Sequence, residues 1–182
     1  MSTRSPRPAR GRRSAGRGNF DPTDIFAALN RARIKYLVIG GVAVVLYGVN
    51  RFTWDVDLCV QLTASNLDRL IGALERLGFQ SRLPVSVKGL ADPATRKQWT
   101  EQKGMKVYSY FERSNPPRVI DIMVKPLPRF EDVYGRRTIV KAGSISIPLV
   151  PVDVLARMKR EAGRPEDLLD LRYLRELGLI QR

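Results

Sequence analysis

Apolar positions repeat with the period of a helix in some segments of the chain and form short continuous runs in others. The clearest helical segment has Thr63 or Ser65 as its cap and ends at Gly78, a residue type that favours the backbone conformation found after helices. Its apolar face consists of Leu67, Leu70, Ile71, Leu74 and Leu77. Similar patterns predict further helical segments at 22–32, 42–47, 93–102, 130–135, 152–161 and 165–177.

Short apolar runs bounded by turn-forming residues predict strands. They lie at 36–39, 55–61, 79–83, 107–112, 119–124, 138–141 and 145–147. The turn-forming residues 114–117 predict that two of these strands form a hairpin. Gly40 and Gly41 are expected to form a tight turn into the helix at 42–47, although the valines of that segment are also compatible with a continued strand.

The chain divides by composition into an Arg-rich tail at 1–19 and a single domain at 20–182. The tail cannot bury enough apolar surface to offset its ordering entropy, so we expect it to be disordered. Two roles remain open for it. It either contacts RNA or is a solubilising or translation-start extension with no specific partner.

The charge of the chain favours polyanionic partners. Lys and Arg outnumber Asp and Glu by 32 to 18, for a net charge of +14, which attracts nucleic acid or nucleotides. No histidine occurs, which excludes Ser-His-Asp hydrolysis, Cys-His proteolysis and histidine-ligated zinc. Cys59 is the only cysteine and the start of the chain lacks the apolar core of a secretory signal, so a cytoplasmic location is expected. The apolar run at 36–49 is shorter than the roughly 20 residues of a membrane span.

Two acids stand two positions apart in the strand predicted at 55–61. Because side chains alternate along a strand, Asp55 and Asp57 project from the same face. Two adjacent carboxylates repel each other, and Mg²⁺ prefers such hard oxygen ligands together with phosphate oxygens. The pair therefore indicates a magnesium site. The alternative is a pair of strand acids that face solvent.

Two further features strengthen the indication of a phosphate-binding metal site. Gly40 and Gly41 lack side chains, so backbone and phosphate can approach closely there, although a simple turn explains the same glycines. Asp121 lies within the apolar run 119–124, where a carboxylate rarely occurs without a partner or a metal. Its alternatives are an ion pair with Arg118 or Lys125, or a position at the sheet edge.

Four motifs occur in a fixed order: Gly40-Gly41-x-Ala43, Tyr47-Gly48, Arg51-x-Thr53-x-Asp55-x-Asp57 and Val119-Ile120-Asp121. The combination resembles the nucleotidyltransferase superfamily with the DNA polymerase beta-like fold, and within it the small bacterial AbiEii-like and MNT-like group linked to toxin-antitoxin systems. The resemblance covers about 22–177 and implies an α+β fold, a mixed β-sheet with flanking helices and a C-terminal helical segment at about 151–178. It also implies that Asp55, Asp57 and Asp121 bind the catalytic metals.

The C-terminal segment 155–171 is similar to the pattern Lys-x-x-x-x-Arg-x-x-Asp-x-x-Asp of the same group. By this resemblance Lys159 contacts the nucleotide phosphates and Arg164 assists it. Asp167 or Asp170 would orient these basic groups or help to activate the acceptor. The alternative is a network of ion pairs on the helix surface, because the two aspartates lie three positions apart on one helix face.

The resemblance implies magnesium-dependent transfer of a nucleoside monophosphate from a nucleoside triphosphate (NTP) to an acceptor hydroxyl. All three aspartates would hold one Mg²⁺, and Asp55 with Asp57 a second. The candidate phosphate-binding residues are Gly40, Gly41 and Arg51. Thr53 would support the loop, and Arg51 is equally compatible with a structural ion pair to an aspartate.

The acceptor is expected to be RNA, such as the 3′ end of tRNA, or a hydroxyl of a partner toxin protein. A noncatalytic RNA-binding or antitoxin module is the alternative from a different class. A small-molecule transferase is a weaker option, because a cationic surface suits a cationic drug poorly. Trp54, Trp99 and Tyr47 are interpreted as packing residues of the core or loops and not as contacts to a base.

Overall fold

Seven strands form one sheet in the computed structural model, which describes residues 21–81, 83–114 and 117–181. They are β1 (Tyr36–Val38), β2 (Asp55–Val60), β3 (Gln80–Ser81), β4 (Val107–Glu112), β5 (Arg118–Met123), β6 (Thr138–Ala142) and β7 (Ile145–Leu149). Their order across the sheet is β3-β4-β5-β2-β1-β7-β6. The tail at 1–19, predicted to be disordered, and the central residues 115–116 of the predicted hairpin turn lie outside the described residues.

The sheet is mixed, as the family resemblance implied. β1 runs parallel to β7 and β2 runs parallel to β5, whereas the pairs β1/β2, β3/β4, β4/β5 and β6/β7 are antiparallel. The predicted hairpin is confirmed as the β4/β5 pair. In the parallel pair at the centre, Asp57 lies directly opposite Asp121. This register places acids from two strands beside each other.

Seven helices flank the sheet among the described residues, which confirms the predicted α+β class. They are α1 (Thr23–Arg31), α2 (Gly40–Leu46), α3 (Ala64–Arg76), α4 (Pro93–Lys103), α5 (Phe130–Gly135), α6 (Val152–Ala162) and α7 (Pro165–Glu176). α1 packs on α3 and on β7, α2 packs on β2, and α6 packs on α7. None of these helices combines the length and the apolar composition that a bilayer span requires.

The two glycines after β1 differ from the prediction. Gly40 and Gly41 are the first residues of α2 and not a separate turn before it. The backbone of Ile39 is extended, and Gly40 takes a positive φ of 61°, so the chain changes direction within a single residue. A continued strand, the other option for the valine-rich segment, is therefore wrong.

The segment between α3 and α4 also departs from the prediction. β3 covers only two residues of the strand expected at 79–83. The hydroxyl of Ser81 accepts a hydrogen bond from the backbone N–H of Leu83 at 3.0 Å, which turns the chain away from the sheet. A 3-10 helix that the sequence did not predict follows at Val87–Ala91, and Asp92 then caps α4.

A buried polar side chain joins α3 to the ends of β1 and β2. The side chain of Asn66 is fully buried. Its Oδ1 accepts from the backbone N–H of Lys35 at 2.9 Å, and its Nδ2 donates to the carbonyls of Lys35 and Gln61, both at 3.0 Å. The amide thus adds to the backbone hydrogen bond between Gln61 N–H and the carbonyl of Lys35 where the two strands end. The apolar periodicity of α3 gave no signal for this role.

Replacing Asn66 with Ala should lower the free energy of unfolding by about 2–4 kcal/mol, because the backbone N–H of Lys35 and the carbonyl of Gln61 would lose the partner that the buried amide supplies. Urea unfolding followed by circular dichroism measures the change. Asn50→Ala is the matched control, because Asn50 is exposed and its loss should cost under about 0.5 kcal/mol. Equal effects of the two substitutions would contradict this role of Asn66.

Candidate active site

Three carboxylates meet at the centre of the sheet. Asp55 and Asp57 project from the same face of β2, and Asp121 lies opposite Asp57 on the parallel strand β5. One oxygen of each carboxylate lies within 4.8 Å of the other two. The structure therefore brings together all three residues that the sequence singled out for metal binding.

The electrostatics of this acidic cluster favour a bound cation. Burial, together with the charges of Asp55 and Asp121, raises the pKa of Asp57 to about 6 against the opposing effect of Lys159 and Arg164. Burial likewise raises the pKa of Asp121, although Ser109 donates a hydrogen bond to this carboxyl.

One oxygen of the cluster gives direct support for a metal. The Oδ1 atom of Asp121 is buried and has no hydrogen-bond partner among the described residues. An orphaned carboxylate oxygen in a buried position is costly unless a ligand satisfies it. Because hard oxygen donors suit Mg²⁺, the donor set of Asp55, Asp57 and Asp121 fits that ion.

The paired glycines make room beside the acidic cluster. A Cβ atom on Gly40 would lie 1.8 Å from Oδ2 of Asp57, so only glycine permits this approach. A Cβ atom on Gly41 would lie 2.5 Å from Oγ1 of Thr53 and 3.0 Å from a terminal guanidinium nitrogen of Arg51. The same Thr53 hydroxyl donates to Oδ1 of Asp55 at 3.0 Å. Thr53 therefore fixes the orientation of one carboxylate of the cluster.

The basic residues predicted near the phosphates are already paired to acids. Lys159 Nζ lies 3.0 Å from Oδ1 of Asp167 and 2.7 Å from Oδ2 of Asp170. Arg51 contacts Asp170 at 2.6 Å, and Arg164 contacts Asp167 at 2.7 Å. We call these five residues the ion-pair network. Within it, the contact between Arg51 and Asp170 is the structural ion pair that the sequence left open as an alternative for Arg51.

The centre of the ion-pair network is buried, which makes the surface alternative wrong for Lys159, Asp167 and Asp170. The side chain of Arg164, in contrast, is exposed. Lys159 is 4% exposed, and Asp167 and Asp170 are each 1% exposed. Burial raises the pKa of Asp167, but the hydrogen bonds and charges of Arg164 and Lys159 outweigh it and hold that pKa below its ordinary value. The network borders the acidic cluster, because Lys159 and Arg164 also act on the charge of Asp57.

Replacing Lys159 with Met should lower the free energy of unfolding by about 3 kcal/mol, because two buried carboxylates would share fewer positive charges. Thermal unfolding at neutral pH measures this loss. Arg160→Met changes an exposed cation on the same helix and should alter stability by less than about 0.5 kcal/mol. A near-neutral Lys159→Met would show that solvent reaches the two carboxylates and would contradict this prediction.

Two aromatic side chains lie next to the acidic cluster: Phe52, to which no role was assigned from the sequence, and Trp54, which was interpreted as a packing residue. Phe52 and Trp54 are exposed, and residues 51–55 line a cavity of about 500 Å³ together with Pro117 and Val119. Trp99 is buried in the core, and the hydroxyl of Tyr47 donates to the carbonyl of Val150, so both are packing residues as predicted. In the sequence, Phe52 and Trp54 alternate with Arg51, Thr53 and Asp55, and this alternation was the only signal that could have placed the two rings near the site.

Three solved structures share this fold. A protein of Thermotoga maritima, provisionally assigned as a nucleotidyltransferase, has a TM-score of 0.51 at 15% identity and covers 84% of this chain and 89% of its own. The lincosamide antibiotic adenylyltransferase LnuA with bound lincomycin has a TM-score of 0.56 at 16% identity, covering 87% and 98%. A nucleotidyltransferase-like antigen of Paracoccidioides brasiliensis has a TM-score of 0.50 at 20% identity, covering 82% and 70%.

These likenesses confirm the predicted fold, that of nucleotidyltransferases, at identities too low to carry more than the fold. No protein-family profile matches the sequence, and no curated protein matches it. The placement of the chain in the AbiEii-like and MNT-like group stays a prediction.

Proposed function

We propose that this protein transfers a nucleoside monophosphate from an NTP to an acceptor hydroxyl and releases pyrophosphate. The observation that carries the proposal is the convergence of Asp55, Asp57 and Asp121 on one point, with a buried oxygen of Asp121 unsatisfied. The nucleotidyltransferase fold of the chain supports it. A purely structural role would not require three acids within 4.8 Å of one another at the centre of the sheet.

The three carboxylates would hold Mg²⁺, in one or two ions. When bound, the metal would neutralise charge on the triphosphate and lower the pKa of the acceptor hydroxyl. Around it the chain supplies position and charge: Thr53 orients Asp55, and Gly40 leaves space beside Asp57. Lys159 and Arg164 would offset negative charge on the reacting phosphates at the edge of the cluster. Their positive charges already lower the pKa of Asp57.

RNA is the acceptor that the charge of the chain favours. The net charge of +14 would attract a polyanion and draw its end toward the site. In this proposal the acceptor is the 3′ hydroxyl of an RNA such as tRNA, and the protein acts in the cytoplasm as part of a toxin-antitoxin pair. A hydroxyl of a partner toxin protein is the acceptor in the other form of the same proposal.

A small hydroxylated molecule is the second candidate acceptor. LnuA, whose structure this chain resembles over most of its length, is a lincosamide adenylyltransferase. The cavity of about 500 Å³ beside Asp55 has a volume in the range of small-molecule sites. Because nucleotide transfer to RNA and to a small molecule would use the same acidic cluster, only the labelled product separates them.

The test supplies each of the four α-labelled NTPs with Mg²⁺ to the purified protein, together with total RNA, cell protein or lincomycin. Label in RNA with the unaltered protein and none with Asp57→Asn would support the proposal. Label in protein or in lincomycin would retain the reaction and change the acceptor. No label in any fraction with any of the four NTPs would favour the noncatalytic RNA-binding module.

A further inference from the structure

The loop that leads into the acidic cluster exposes two large aromatic rings. Phe52 is 54% exposed and Trp54 is 50% exposed, whereas the other tryptophan, Trp99, is 4% exposed. Because these rings stay about half exposed to water, the folded protein does not gain the free energy that their full burial would provide. Exposed aromatic groups at the mouth of a cavity commonly mark a ligand-binding surface.

The rings form part of a defined cavity. They meet edge to face, with centroids 4.3 Å apart and planes at 79°. Both line the cavity of about 500 Å³, together with Pro117 and with Val119 of β5. Asp55, a member of the acidic cluster, borders the same cavity. A flat apolar ring held there would lie next to the candidate metal site.

The loop that carries the rings is anchored on both sides of each ring. Arg51 is held by Asp170 at 2.6 Å, and Thr53 donates to Asp55 at 3.0 Å. Phe52 and Trp54 alternate with these anchored residues. A ligand that stacks on the rings would therefore lose little affinity to ordering of the loop.

We propose that Phe52 and Trp54 bind the base of the NTP by stacking. The inference rests on the proposed function, because it assumes that the triphosphate lies at the acidic cluster. Base and triphosphate are separated by one ribose, and Arg51 borders both the cavity and the glycine pair, so one nucleotide can occupy both places. Stacking accepts any base, which makes these residues determinants of affinity more than of base choice.

The first experiment compares ligands with and without a base. Fluorescence of Trp54 and calorimetry would follow binding of ATP, GTP, CTP and UTP with Mg²⁺, against inorganic tripolyphosphate with Mg²⁺. Trp54→Ala should weaken binding of the NTPs by about five- to a hundredfold and leave tripolyphosphate binding unchanged. Trp54→Phe should restore most of the affinity, because it keeps an aromatic ring.

Ile139→Ala is the matched control. Ile139 is exposed to 46% on the edge strand β6, and its removal should change binding of neither class of ligand. Phe52→Ala should act in the same direction as Trp54→Ala. An equal loss of tripolyphosphate and NTP binding in both variants would overturn the inference, since it would show a general disturbance of the loop.

A second arm tests the other source of a base. A short single-stranded RNA is compared with the same RNA lacking its 3′-terminal base. If Trp54→Ala weakens only binding of the RNA with the terminal base, the assignment of the cavity to the NTP is wrong. Failure of the proposed function would appear as absence of nucleotide transfer, whereas the binding measurements do not depend on transfer. Normal transfer and NTP affinity in Trp54→Ala would overturn the inference alone.

Discussion

Replacing Asp57 with Asn is expected to abolish nucleotide transfer and, at the same time, to stabilise the metal-free protein. Transfer should fall by about a thousandfold or more, because Asp57 lies closest to Gly40 and faces Asp121 at the centre of the acidic cluster. Stability should rise because the substitution removes one of three repelling, half-buried acids. A catalytic residue commonly has these opposed effects.

The sign of the stability change follows from the pKa of Asp57. That pKa is raised from 3.8 to about 6 in the folded protein, so the folded state holds the proton more tightly than the unfolded state does. The contribution of Asp57 to stability is therefore fully present below pH 4 and is lost as the pH rises through 6. At neutral pH the free energy of unfolding of the metal-free, unaltered protein should be about 1–3 kcal/mol lower than that of Asp57→Asn.

Thermal unfolding in a chelator, between pH 4 and 8, measures this difference. Addition of Mg²⁺ at pH 7.5 should raise the melting temperature of the unaltered protein and have a smaller effect on Asp57→Asn. Glu101→Gln removes an exposed acid of α4 and should reproduce neither result. If Asp57→Asn still transferred nucleotide, Asp57 would not be a ligand of the catalytic metal.

Replacing Gly40 with Ala is expected to eliminate transfer and to destabilise the fold. The new Cβ would lie 1.8 Å from Oδ2 and 2.6 Å from Cγ of Asp57, so the carboxyl would have to leave its place in the cluster. The positive φ of 61° adds strain of about 1 kcal/mol. Together we expect a loss of at least about 2 kcal/mol in stability and of more than a hundredfold in transfer.

Gly104 provides a matched control for this substitution. It has the same φ of 61°, and a Cβ there would meet nothing within 4 Å. Gly104→Ala should therefore cost about 1 kcal/mol of unfolding free energy and leave transfer intact. If the two alanine variants behave alike in both assays, contact with Asp57 is not the reason for glycine at position 40.

The sequence predicted those parts of the fold whose signals are local. The apolar face of α3 and the alternation of Asp55 and Asp57 depend on neighbours in the chain, and both were correct. Asp121 was recognised because an acid in an apolar run is unusual. Its position opposite Asp57 needed the parallel pairing of β2 with β5, which local patterns do not contain.

The features that the sequence missed depend on distant contacts. The end of β3 is set by a side chain that bonds to the backbone two residues later, and the burial of Asn66 is set by the ends of two strands. Helical spacing left surface ion pairs open as an alternative for Asp167 and Asp170, whereas α6 and α7 pack so that both acids contact the buried Lys159. Exposure of Phe52 and Trp54 is likewise a property of the folded loop.

The ion-pair network has a consequence for synthesis of the protein on the ribosome. Arg51 belongs to the first third of the chain, and its partner Asp170 follows 119 residues later. A nascent chain that already contains Asp55, Asp57 and Asp121 still lacks the residues that anchor the adjoining loop. The site is therefore completed only after α7 has been translated, and prematurely terminated chains carry the acids without the arrangement that positions them.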